Sequence, residues 1–205
     1  MDEITIWSET KKGGKVVERF DPSTTIVDLN DRRIGSTDLS PLEEFPNLEV
    51  LTLSGNEIES VDLSVLEECP SLVELSLGGN EITAIDLTPL SACPELTYLG
   101  LSFNRLREID LSPLSSCKKL RSLHLYENKL RDIDLSPLKK CRKLRTLTLT
   151  KNDFDSLDIS ALFRSPNLRT LDLDPDLKLT ADKKFKTKTK VSRGLSPYLE
   201  HIDWT

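Results

Sequence analysis

Leucines separated by two residues and then by one recur along most of this chain. The pattern Leu-x-x-Leu-x-Leu begins at Leu48, Leu72, Leu96, Leu120, Leu144 and Leu168, each 24 residues after the last. Its Leu-x-Leu part alternates with the period of a strand, so the leucines point to one face and their neighbours to the other. Asn56, Asn80, Asn104, Asn128 and Asn152 follow five of these strands in register. An asparagine there can bond the backbone of adjacent coils where the chain turns, and repetition makes a ladder. The second half of the unit reads apolar-Asp-apolar-Ser/Thr-x-Leu. Ser40, Ser64, Thr88, Ser112, Ser136 and Ser160 have the chemistry of helix N-caps, and Pro41, Pro89, Pro113 and Pro137 suit a first helical position. A short helix or 3₁₀ turn should therefore back each strand, with Glu43 and Glu67 completing capping boxes in the first two. One coil cannot bury enough apolar surface to fold alone, so the repeat predicts a single elongated domain of stacked coils.

Taken whole, Leu-x-x-Leu-x-Leu-x-x-Asn-x-(Ile/Leu/Phe) followed by Ile-Asp-Leu-Ser-Pro-Leu resembles the leucine-rich repeat family, over roughly 150 of the residues. The unit is similar to the short intracellular and prokaryotic or archaeal repeats of that family, and not to its longer helical or plant-receptor types. This resemblance implies an α/β solenoid, the leucine-rich repeat horseshoe. Its parallel β-sheet would be concave, short helices or 3₁₀ turns would lie on the convex side, and there would be about eight rungs.

Both ends depart from the repeat. Ile4–Trp7 and Lys15–Phe20 are apolar or alternating runs around a Gly-bearing turn, so residues 1–23 are expected to form a β-hairpin cap. The array is expected over 24–173, starting with a degenerate copy in which Ile26, Val27, Leu29 and Ile34 hold the periodic positions and Arg32 replaces asparagine. Residues 174–205 are read as a C-terminal cap with a basic insertion. In it Leu199, Ile202 and Trp204 repeat Leu-x-x-Leu-x-Leu as a final rung, and Trp204 closes the core.

Composition narrows the functional classes. No apolar run approaches the length of a membrane span, and Met1–Glu9 is acidic where a secretory leader would be basic and then apolar, which points to a cytoplasmic protein. The net charge of −6 divides into −12 over residues 1–82 and +6 over residues 83–205. Cys69, Cys93, Cys117 and Cys141 occupy one position of successive units. Sulfurs in a file at strand spacing do not make a tetrahedral zinc site, so they are read as buried and reduced. Asp38, Asp62, Asp86, Asp110, Asp134 and Asp158 form a second file, but no glycine-rich turns flank them to wrap a calcium ion. Neither a metal nor a cofactor is expected. The two histidines, His124 and His201, fall on separate rungs and no catalytic motif occurs, so the chain does not read as an enzyme.

Function is expected on the concave face, where residues break the repeat. Tyr98, Phe103, His124 and Tyr126 concentrate aromatic surface at the central rungs, with Arg105, Glu127 and Lys129 setting polarity and register. The leading reading is a monomeric interaction scaffold that binds a protein or peptide partner there. One alternative is a basic surface for nucleic acid or anionic membrane, drawn from Lys118, Lys119, Arg121, Arg142, Lys143, Arg145, Arg169 and the run Lys183 to Lys190. Only Phe185 is interleaved with that run, which argues against base stacking. Another is a passive assembly element contacting through Trp7 or Trp204.

Overall fold

The computed structural model describes residues 3–205. In chain order its strands are β1 (Ile4–Thr10), β2 (Lys15–Phe20), β3 (Ile26–Asp28), β4 (Ile34–Thr37), β5 (Val50–Thr52), β6 (Glu74–Ser76), β7 (Tyr98–Gly100), β8 (Ser122–His124), β9 (Thr146–Thr148), β10 (Ser156–Asp158), β11 (Thr170–Asp172), β12 (Lys178–Ala181) and β13 (Ile202–Trp204). Seven of them form one parallel sheet in the order β11-β9-β8-β7-β6-β5-β3. The register is one unit per strand, so Leu51, Leu75, Leu99, Leu123, Leu147 and Leu171 stand side by side beneath the sheet. Leu48, Leu72, Leu96, Leu120 and Leu144 close the same core and are fully buried. Ile26 is an exception to the expected periodic positions: β3 is the sheet's edge, and Ile26 lies on its outer face, 53% exposed.

The reverse side consists of 3₁₀ turns, at Ser40–Glu44, Ser64–Glu68, Thr88–Ala92, Ser112–Ser115, Ser136–Lys140 and Ser160–Arg164. Each buries its leucine, Leu42, Leu66, Leu90, Leu114, Leu138 and Leu162. Such turns are wider than a strand set 4.7–4.9 Å from its neighbour, so the stack bends with the sheet inside. The capping differs from the expectation. The serine or threonine opens the turn, and the aspartate two residues earlier accepts its N–H, as in Asp110 Oδ1 with Ser112 at 2.8 Å and Asp134 Oδ1 with Ser136 at 2.7 Å. A short carboxylate reaches the residue two ahead without requiring helical geometry, which is the Asx-turn. The aspartate file is therefore accounted for by its turns, and the hydroxyls lean onto the carboxylates, as Ser136 Oγ does onto Asp134 at 2.8 Å. That geometry leaves no place for the capping boxes expected of Glu43 and Glu67.

The asparagines bind the coils to one another. Asn104 Oδ1 accepts the Ile82 N–H at 3.0 Å, and its Nδ2 donates to the carbonyls of Leu77 and Leu101 at 2.9 and 3.1 Å. Asn80 and Asn128 repeat this arrangement, with an amide 22 residues earlier, a carbonyl 27 residues earlier and a carbonyl of their own rung. Each side chain thus satisfies backbone groups of its own rung and of the one before. Rung one has no rung before it. There Arg32 donates its backbone N–H to Asn56 and turns its guanidinium outward to Glu18 of β2 at 2.8 Å.

The cysteines form a parallel file. They are free and buried, and Cys93, Cys117 and Cys141 point their sulfurs at the carbonyls of Leu66, Leu90 and Leu114, at 3.4, 3.3 and 3.2 Å. Burial pushes the Cys93 and Cys117 thiols up to about 12 and Cys69 and Cys141 up to about 11, so they remain unreactive thiols at neutral pH.

The hairpin β1-β2 lies antiparallel over rung one, with β1 extended beyond the expected Trp7 and paired also to β4. Ile4 and Ile6 enter the core, whereas Trp7 faces out at 55% exposed opposite Val17. The C-terminal tail differs from the expected final rung. Ile202-Asp203-Trp204 does not extend the concave sheet but pairs with β12, which pairs with β10, in a separate three-stranded parallel sheet. Ile202 aligns with Leu179, which aligns with Leu157. The tail is thus a copy of the Ile-Asp-Leu half of the unit, not of Leu-x-x-Leu-x-Leu. Trp204 takes the place of the following apolar residue and packs on Phe163 with ring centroids 5.7 Å apart.

Replacing Asn104 with Ala would orphan the buried Ile82 N–H and remove one of the two donors to each of the Leu77 and Leu101 carbonyls, which Asn80 and Asn128 still bind, and should cost roughly 1–3 kcal/mol in chemical denaturation. Ser102→Ala, which removes a buried hydroxyl without a partner, should be neutral or stabilising.

Candidate functional site

The residue ahead of each ladder position is held in the left-handed region: Asp31, Gly55, Gly79, Phe103, Glu127 and Lys151, with φ of 55°, 70°, 68°, 56°, 54° and 58°. The chain must turn there so that its next amide faces the following rung, as Asn80 N–H does to Phe103 O at 3.1 Å. Glycine meets this demand without strain in two rungs. Phe103 meets it with a bulky side chain, at a cost of about 1–2 kcal/mol, and its ring stands 46% exposed.

Two aromatic pairs result. Phe103 meets Tyr126 edge to face at 4.8 Å, and Tyr98 meets His124 at 5.2 Å, tilted by 39°. Tyr98 lies down over Gly100: a Cβ there would sit 2.9 Å from the ring's Cε1 and from its hydroxyl oxygen. Burial raises the Tyr98 pKa above its ordinary value, partly opposed by the adjacent Ser76 hydroxyl. His124 is held by Thr148, with Nδ1 3.2 Å from Oγ1, and burial lowers its pKa below the ordinary 6.5 against the opposing pull of Asp172. Ser76 and Thr148 are absent from the expected site, although they occupy the same strand position as His124, two units before it and one unit after it.

The charged residues expected beside these rings do not share one surface. Glu127 pairs with Lys151 across one unit. Arg105 binds Glu81 at 2.8 Å, and Glu81 also binds Lys11 of the hairpin turn at 3.0 Å. Arg105 and Lys129 join Arg107, Arg131, Thr83 and Asp153 around a pocket of about 670 Å³ past the Asn turns, away from the strands. The aromatic residues thus hold the centre of the sheet, and the two cations lie around its edge. The bases expected at the turns into the strands are partly neutralised, as Lys119 is by Glu95. No group of three or more metal-binding side chains occurs among the described residues.

Models of leucine-rich repeats match residues 94–154, and models of paired repeats match residues 46–92 and 70–116. The chain belongs to the leucine-rich repeat family. Among solved structures, an internalin (inlF) of Listeria monocytogenes aligns with a TM-score of 0.59 and 27% identity, covering 75% of this chain and 42% of its own. A leucine-rich repeat protein of Leptospira interrogans aligns with a TM-score of 0.64 at 20% identity over 80% of this chain and 45% of its own, a likeness of fold. A plant peptide hormone receptor, RGFR1, solved in complex with RGF2, gives 0.60 and 27% over 69% and 22%. This chain spans less than half the length of each of these three. No curated protein matches it. Leucine-rich repeat domains are in general protein-interaction modules and typically lack enzymatic activity. No helix among the described residues is long and apolar enough to cross a membrane.

Phe103→Gly should change stability by less than about 1 kcal/mol in urea titration. Relief of the left-handed strain offsets a lost ring contact of about 0.5–1.5 kcal/mol, whereas truncating a core phenylalanine costs about 3–5. His124 binds its proton less well folded than unfolded. Stability is therefore complete above pH 6.5 and declines as pH falls below it toward the lowered value. The melting temperature of His124→Gln should lose that component between pH 7 and 5.

Proposed function

We propose that this leucine-rich repeat is a non-catalytic module that binds a protein or peptide on its concave face, working in the cytoplasm as a single chain. The observation that carries this reading is the aromatic quartet of Tyr98, Phe103, His124 and Tyr126. It presents paired rings at the middle of the sheet, one of them kept exposed at a backbone position where glycine is the unstrained choice. Rigid aromatic surface flanked by small and polar residues, here Gly78, Gly79, Ser54 and Thr150, is the composition of interface hot spots. Glu127, Arg105 and Lys129 then act at the rim, where charge steers approach and register more than affinity. A protein or peptide partner is in keeping with a relative such as RGFR1, solved in complex with RGF2. The buried free thiols suit a reducing compartment.

Affinity capture from source lysate should yield a protein whose purified form binds the chain. Replacing Tyr98, Phe103 and Tyr126 together with Ala should weaken that binding at least a hundredfold while the chain still unfolds cooperatively, with its melting temperature lowered only by the loss of the two ring pairs. Undiminished affinity of the triple variant would exclude the concave aromatic surface.

A further inference from the structure

On the convex side, where the last 3₁₀ turns meet the C-terminal insertion, lies a groove of about 830 Å³. Six cations line it, Lys139, Lys140, Arg142, Arg164, Lys184 and Lys188, and no carboxylate does. The stack alone does not require this charge. Lys139 and Lys140 occupy the positions that Glu43 and Glu44, and then Glu67 and Glu68, hold in the first two turns, and small residues hold in the turns at Thr88–Ala92 and Ser112–Ser115. The same exposed ridge therefore passes from acidic through neutral to basic on an unchanged scaffold.

The insertion builds the far wall. Phe185 stacks on Phe163 at 5.0 Å with the rings 8° from parallel, and Lys188 donates to the Phe163 carbonyl. Arg164 and Lys184 lie 6.0 and 5.1 Å from the Phe185 ring, and Asp182 pairs with Lys184. These contacts fix Lys184 and Lys188 against the turns. Lys139, Lys140, Arg142 and Arg164 have no ion-pair partner among the described residues.

We propose that this groove is a binding site for a compact, multiply phosphorylated anion, either a free polyphosphorylated molecule or the headgroup of a phosphoinositide. Six cations gathered on one concavity with no lining carboxylate focus a positive potential, which concentrates multivalent anions. The cations come from successive layers at about rung spacing, so that neighbouring phosphates can be engaged together. Arginine contributes a bidentate fork and lysine a point charge, the pairing that suits phosphate oxygens. An extended nucleic acid suits the groove less well, because the phenyl rings face each other and so are not free to take bases.

The test uses the whole chain in 150 mM salt, with inorganic tripolyphosphate as one probe and phosphatidylcholine vesicles containing 5% phosphatidylinositol 4,5-bisphosphate as the other. Calorimetry and vesicle sedimentation should detect binding to at least one. Lys140→Glu with Arg164→Glu should weaken it at least tenfold, and Lys118→Glu with Lys143→Glu, an equal charge change outside the groove, by less than twofold. Both double variants should melt cooperatively, and Lys140→Gln with Arg164→Gln serves in place of a groove variant that does not. Binding of tripolyphosphate assigns the site to free polyphosphate, and binding of vesicles alone assigns it to the lipid headgroup. The proposal is overturned by absence of binding to both probes, by equal loss in the two charge variants, or by groove-dependent binding of single-stranded homopolymeric RNA that is tighter than either.

Discussion

One amide per rung holds the molecule together. Leucine packing is non-directional and would tolerate neighbouring coils sliding or rotating against each other, but the asparagine side chain fixes both. It accepts from an amide of the preceding coil and donates to carbonyls in that coil and its own, all away from water. An unpaired backbone group in that position is costly, so the strands stay aligned one unit apart. The leucine files, the thiol file and the file of Asx-turns all inherit that register. Even the first rung, which lacks the asparagine, reflects the rule: with no upstream coil to donate to, Arg32 binds the hairpin instead.

The same constraint sorts residues into those the scaffold dictates and those it leaves free. The left-handed turn ahead of the asparagine dictates a backbone conformation but not a side chain, and it carries Asp, Gly, Gly, Phe, Glu and Lys in succession. In the first five 3₁₀ turns the ridge likewise dictates a buried leucine and leaves the two positions after it to be glutamate, serine, alanine or lysine. Chemical identity is written at these positions on opposite sides of one stack.

Much of the architecture was legible in the sequence because it repeats. The 24-residue spacing located every strand of the main sheet, every turn behind it and the asparagine ladder. The rest was hidden where two residues compete for one role, or where a motif occurs in a single imperfect copy. Serine and aspartate both satisfy N-cap chemistry, and the aspartate wins because a 3₁₀ turn is too short for the serine to reach forward. At the tail, Leu199, Ile202 and Trp204 matched one half of the unit in spacing, whereas Ile202-Asp203-Trp204 matched the other half in chemistry, and pairing with β12 follows the chemistry. At the candidate site the rings could be grouped from the spacing of the repeats alone. That Arg105 would turn away to Glu81 and Lys11 could not, because its partner Lys11 belongs to the cap, which has no repeat to align.

The ladder makes chain length come in whole steps. Asn80, Asn104 and Asn128 bind the same positions of their own rung and of the one before, so removing or duplicating a 24-residue block leaves each remaining rung with equivalent bonds, while any other length breaks them. The aromatic quartet sits on the rungs of β7 and β8, and the basic groove begins at the turn Ser136–Lys140 directly after them. A block inserted between the two would move one surface away from the other by about 4.8 Å. The molecule is in this sense a ruler, on which the distance between two surfaces is counted in asparagines.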